Sequence, residues 1–135
     1  MNKKIIATIS IIALTVIILS ISSNSALDES IISKTIFVDT VYEPENNLVN
    51  ITYNDNSKKT NLVTLEILGM EQTFHKEFSQ NSFVEIVQIN SEPKYGWSTM
   101  PVVFSVNHDE FGKIELKTEI YQMGESKPMI IYSKI

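Results

Sequence analysis

A chain of 135 residues with 43% hydrophobic and 20% charged residues has the composition of one globular domain rather than of a disordered protein. The 11 basic residues are all Lys and are outnumbered by 16 acidic residues. An acidic surface without Arg disfavours nucleic-acid binding, because phosphate and guanine are bound best by Arg. Cysteine is absent, which excludes disulfides, Cys-ligated metals and thiol catalysis.

The first 26 residues have the pattern of a targeting segment. Lys3 and Lys4 precede residues 5–21, which carry no charge, and small polar residues lead up to Ala26. As a helix this apolar run would be about 25 Å long, longer than most signal-peptide cores and shorter than most membrane spans. Residues 1–26 are predicted to be a signal peptide or an N-terminal membrane anchor. Residues 27–135 then form a domain outside the cytoplasmic membrane, secreted or anchored.

Short runs of alternating character follow the leader, and no amphipathic helix is predicted. Strands are predicted at residues 35–42, 48–53, 61–68, 72–79, 83–89, 101–106, 113–121 and 129–135. The run 72–79 also fits a helix. The run 83–89 is apolar on both faces except at Glu85 and Gln88, which is typical of a central strand. Such strands, at a spacing of roughly 8–12 residues, favour an all-β, antiparallel two-sheet immunoglobulin-like sandwich of about 7–8 strands, with a small barrel as the alternative.

Three runs of the chain carry a resemblance: LEILGM, FVEIVQINSEPKYGWSTMPVVF and FGKIELKTEIY. They resemble sequences of small secreted or membrane-anchored archaeal β-sandwich proteins, and the likeness covers most of the chain after residue 30. None of the three runs is a catalytic signature. The resemblance implies a sandwich and an exported protein, and it implies no activity.

The stretch VNHDEFGK, residues 106–113, comes closest to a chemical motif. Its residues also suit a turn between two strands, because Asp109 can accept bonds from backbone amides and Gly112 can adopt a positive φ. Phe111 would then fold over the open end of the sandwich. The turn is the favoured interpretation of this stretch.

Metal binding is the alternative for the same region. His108 and Asp109, with His75 as the only other histidine, are the candidate ligands of a copper or zinc ion. Three methionines are further candidates for copper: Met70, Met100 and Met123. The simpler interpretation of His75 is a solvated position on an edge strand beside Glu77.

Two further features concern the surface. Trp97, the only tryptophan, and Tyr95 lie in a loop and are candidate interaction residues or the rim of a small-ligand pocket, although a large ring more often plugs the end of a core. Asn50 begins the one N-x-[ST] sequon and is a candidate glycosylation site.

Recognised catalytic signatures are missing: there is no G-x-S-x-G, no H-E-x-x-H and no glycine-rich phosphate loop. No catalytic residue and no cofactor are predicted. The expected function is a non-enzymatic module for protein interaction, adhesion or envelope scaffolding, whose partner is a protein or envelope component. A metal-binding module using His75 and His108, and a small-ligand carrier with a pocket near Trp97, are the alternatives.

Overall fold

The computed structural model describes residues 27–135, so the predicted leader lies outside the described residues. Within this range a short helix, α1, spans Glu29–Thr35. The strands are β1 (Ile36–Glu43), β2 (Leu48–Asp55), β3 (Thr60–Ile67), β4 (Phe74–Phe78), β5 (Ser82–Gln88), β6 (Val102–His108), β7 (Gly112–Thr118), β8 (Tyr121–Gln122) and β9 (Ile131–Lys134). A turn of 3₁₀-helix, Trp97–Thr99, precedes β6. None of the helices in residues 27–135 has the length and apolar character needed to cross a membrane.

The strands form two sheets, which confirms the predicted two-sheet sandwich. The order is β5-β2-β1-β8 in the four-stranded sheet and β4-β3-β6-β7-β9 in the five-stranded sheet. All pairs are antiparallel except β1 with β8. The first, second and fifth strands thus oppose the third, sixth and seventh, which is the division of an immunoglobulin-like fold.

Strict alternation along the central strands places one apolar face of each sheet inside. In β2, Val49, Ile51 and Tyr53 are fully buried, and the residues between them lie on the outer face. The Tyr53 ring stacks on Phe83 of the same sheet and on Phe104 of the opposite sheet, at centroid distances of 5.3 and 6.2 Å. One continuous core therefore joins the two sheets.

The helix α1 was not predicted from the sequence. Asp28 caps it by accepting hydrogen bonds from the amides of Ser30 and Ile31, at 3.1 and 3.3 Å. Ile32 is buried in the sandwich core. Seven residues make only two turns, too few for a recognisable apolar stripe, and so the helix escapes a search for periodicity.

The chain after β7 covers one lateral side of the sandwich. The predicted single strand 113–121 is wrong here, because the chain leaves the five-stranded sheet after Thr118, buries Ile120 and adds β8 to the other sheet beside β1. Met123 donates its amide to the carbonyl of Tyr42, and the Lys127 ammonium donates to the carbonyl of Val38 at 2.7 Å. The outer edge of β1 is thereby covered.

The other lateral side is formed by two consecutive edge strands, β4 and β5, one in each sheet. The Lys76 ammonium on β4 lies 3.0 Å from the Glu85 carboxylate on β5, and the rings of Phe78 and Phe83 stack at 3.7 Å. These contacts hold the two sheets together. The predicted central position of residues 83–89 is wrong, because β5 pairs only with β2 among the described residues.

Candidate functional site

The stretch VNHDEFGK forms the end of β6, a tight turn and the start of β7. His108 is opposite Gly112 in the hairpin, and Gly112 has a φ of 72°. The Nδ1 atom of His108 accepts the amides of Glu110 and Phe111, at 3.1 and 3.2 Å. The Phe111 ring stacks on the imidazole at 4.4 Å. A turn role for this stretch is thus what its geometry supports.

The side chain of His108 points inward and meets Asp55, the last residue of β2. The Nε2 atom lies 3.1 Å from Asp55 Oδ2, and both side chains are fully buried. Four further donors surround the carboxylate. Oδ1 accepts the amide and the hydroxyl of Ser57, at 2.8 and 2.6 Å, and Oδ2 accepts the Lys59 amide and the Thr60 hydroxyl, at 3.0 and 2.7 Å. Asp55 is therefore the hub of a polar cluster at this end of the sandwich.

Hydrogen bonding keeps Asp55 ionised. Burial alone would raise the pKa of its carboxyl, but the bonds from Ser57, Thr60 and Lys59 outweigh burial and lower the pKa from 3.8 to about 2. Because Thr60 donates to Asp55, the hydroxyl of Tyr53 must donate to Thr60 Oγ1, 2.7 Å away. Burial, with the nearby Asp55 charge, raises the pKa of Tyr53 above its ordinary value, against the opposing effect of its bond to Thr60.

The cluster contains the three residue types of a Ser-His-Asp hydrolase triad, but their arrangement differs from that of a triad. The three residues are Ser57, His108 and Asp55. In a triad, the serine and the carboxylate contact opposite nitrogens of the imidazole. Here Ser57 Oγ and Asp55 Oδ2 both lie next to Nε2, at 3.2 and 3.1 Å. Because Nδ1 accepts two amides, it carries no proton and the ring proton lies on Nε2. His108 therefore has no free basic nitrogen directed at Ser57.

The cluster also joins the loops at this end of the domain. Asn81, between β4 and β5, accepts the Asp55 amide with its carbonyl and the Thr60 amide with its side chain. The Lys59 carbonyl accepts the Asp109 amide at 2.9 Å. The cluster of Asp55, Ser57, Thr60 and His108 thus fixes the β2–β3, β4–β5 and β6–β7 connections relative to one another.

The candidate metal ligands do not come together. His75 lies exposed on β4, opposite Glu66 of β3, whereas His108 lies opposite Thr60 of the same strand. Glu66 and Thr60 are six positions apart on β3, which corresponds to about 20 Å along the strand. His75 Nδ1 contacts Glu66 Oε1 at 3.3 Å rather than the predicted neighbour Glu77.

Asp109 is also engaged, since its Oδ1 accepts the side-chain amide of Asn61 at 2.7 Å. In residues 27–135 no group of three or more His, Asp or Glu side chains is arranged to hold a metal ion. One ion cannot be bound by both histidines in this arrangement.

Trp97 and Tyr95 have opposite environments. Trp97 is 7% exposed and its ring packs against Tyr42 at a centroid distance of 5.0 Å. It therefore belongs to the core, in agreement with the interpretation of a large ring that closes the end of the core. Tyr95 is 79% exposed and lies beneath the Lys94 ammonium. An open groove of about 880 Å³ lies nearby, lined by the loop from Gly69 to Thr73 and by His75, Ile89 and Met100, but not by Trp97.

Asn50 lies on the outer face of β2, between Val41 of β1 and Ile86 of β5. Its side-chain amide donates to a carboxylate oxygen of Glu43. The predicted glycosylation site thus faces outward, as a glycan requires. A glycan there would lie beside Ile86.

Comparison of the chain with protein-family models, curated proteins and solved structures gives no significant match.

Proposed function

We propose that this chain is an extracytoplasmic, non-enzymatic β-sandwich module that acts by protein interaction, as an adhesion or envelope-scaffold component. The observation that carries the proposal is the outer face of β5. Val84 and Ile86 are each 61% exposed there, next to each other on one face of a strand that lies at the edge of its sheet among the described residues. Exposed aliphatic side chains on a long strand edge are the features by which sheets recruit a further strand.

The polar cluster supports the non-enzymatic part of the proposal. Its carboxylate, imidazole and hydroxyls are used in hydrogen bonds within the cluster, and Asp55 and His108 are buried. A catalytic group needs a reactive atom that a substrate can reach. The targeting segment predicted in residues 1–26 supports the extracytoplasmic location of the module.

Site-specific photo-cross-linking in the native cells tests this proposal. A photoreactive residue replaces Ile86 in the full chain, and we expect a covalent adduct with a protein. Leu62, an exposed aliphatic residue on the outer face of β3, is the matched control and should give little adduct. Equal yields at the two positions, or no adduct at position 86, would contradict an interaction surface on β5. Protease added to intact cells should digest residues 27–135, and full protection would contradict export.

A further inference from the structure

We infer that β5 is a dimerisation edge, at which two copies of this chain pair their β5 strands antiparallel and join their four-stranded sheets. The inference rests on the proposed function and names its partner. It follows from the direction of the backbone groups of β5, the side-chain pattern of the strand, the pairing of its one charge and the state of the other strand edges.

The backbone of β5 presents unused hydrogen-bonding groups outward. The Asp55 amide donates to the Asn81 carbonyl and the Ile89 amide to the Asn47 carbonyl, and both pairs continue the β2–β5 register. Bonded and non-bonded pairs alternate in an antiparallel ladder, so every second residue of β5 faces β2. The amides and carbonyls of the intervening residues point to the free edge: Ser82, Val84, Ile86 and Gln88. An antiparallel neighbour would pair with these groups.

The side chains of β5 have the pattern of a strand with neighbours on both sides. Phe83 and Val87 are buried in the core, and Val84 and Ile86 make the outer face apolar as well. A strand that is apolar on both faces normally lies in the interior of a sheet. Among the described residues β5 lies at the edge, and a neighbour from another chain would give the strand the position that its sequence predicts.

A second copy fits this edge because the strand is self-complementary. Antiparallel pairing about a two-fold axis places outer-face residues opposite outer-face residues, so Val84 and Ile86 meet aliphatic partners. The only charge of the strand is Glu85, and both of its carboxylate oxygens are bound by Lys76 of the same chain, at 3.0 and 3.1 Å. Two copies therefore approach without an unpaired carboxylate at the junction.

The other strand edges of residues 27–135 are protected by devices that discourage pairing. The edge of β1 is covered by Lys127 and by β8, which ends the four-stranded sheet and is only two residues long. The edge strand β4 carries the charged residues Lys76 and Glu77, and β9 is four residues long and ends in Lys134. Charges and short length are the usual protections of a sheet edge. The outer face of β5 carries no charge, and the one charge on its inner face, Glu85, is paired with Lys76.

Disulfide cross-linking of the full chain tests the inference without background, because the chain has no cysteine. Paired strands bring Cα atoms of opposite residues to about 5.5 Å, within disulfide range. We expect V84C or I86C, or an equimolar mixture of the two, to give a species of twice the monomer mass on mild oxidation. Whichever of the three gives the highest yield identifies the register. E77C, exposed on the β4 edge, is the matched control and should stay monomeric.

Charge substitution provides the second arm. I86K should at least halve the cross-linking yield of V84C, whereas L62K, which adds the same charge on the other sheet, should leave it unchanged. Equal cross-linking of E77C and V84C, or higher aggregates without a dimer, would overturn the inference. A photo-adduct from position 86 with a different protein, without self-cross-linking, would overturn the dimer and leave the interaction module intact. No adduct of either kind would contradict both.

Discussion

Replacing Asp55 with Asn is expected to remove at least about 3 kcal/mol of folding free energy, because a buried charged acceptor is lost while its donors remain. The amide that replaces one carboxylate oxygen would face N–H and O–H groups that also donate. Unfolding by urea, followed by the fluorescence of the buried Trp97, measures the loss. Asp109→Asn is the control, since Asp109 is exposed and accepts only one side-chain amide, and it should cost less than about 1 kcal/mol.

The dependence of this difference on pH is a second readout of the same substitution. The pKa of Asp55 is lowered from 3.8 to about 2 in the folded state, so its ionised form favours folding at pH values above the ordinary pKa. That contribution, about 2 kcal/mol, is lost as the pH falls from about 5 towards 2. The stability of the native chain should therefore approach that of Asp55→Asn across this range. A constant difference from about pH 5 to pH 2 would show that Asp55 is not held ionised by the fold.

Replacing Gly69 with Ala is expected to cost about 3 kcal/mol or more. Gly69 has a φ of 78°, and a Cβ built on it would lie 2.0 Å from the carbonyl oxygen of Thr99. A side chain there is opposed both by the backbone conformation and by a main-chain atom that cannot move alone. The adjacent bond from the Leu68 amide to the Pro101 carbonyl, at 3.0 Å, holds the two segments together.

Gly124→Ala separates the two causes. Gly124 has a φ of 91° but open space around its Cβ position, so the substitution should cost only the backbone strain, about 1 kcal/mol. Thermal unfolding of the two variants measures the difference. Equal losses of stability in the two variants would contradict the close approach of the Thr99 carbonyl to Gly69.

The sequence predicts most of the sandwich because alternation is a local property. The alternation of apolar and polar residues from Leu48 to Tyr53 is enough to predict which side chains face the core and which face outward. The structure extends that strand by only two residues. Position within a sheet is not local. The apolar pattern of residues 83–89 predicts a neighbour on each side, and no feature of the strand says whether that neighbour belongs to the same chain.

The candidate site was predictable only in part. His108 and the turn that follows it were recognisable from residue types, whereas no feature of the sequence singled out Asp55. The bond between His108 and Asp55 joins residues 53 positions apart in sequence. Their meeting depends on which strands become neighbours, and no spacing rule for short motifs covers it. In the structure both residues end strands, but the predicted strands stop two residues short of each, at residues 53 and 106.

Whether the polar cluster folds the domain or performs chemistry depends on where the proton of His108 lies. Nitrogen-15 NMR of the imidazole distinguishes the two neutral tautomers, and His75, the only other histidine, can be removed by His75→Gln to simplify the spectrum. We expect the proton on Nε2, and Nδ1 as the acceptor of the Glu110 and Phe111 amides. A proton on Nδ1, with Nε2 free to accept from Ser57, would contradict the structural role of the cluster.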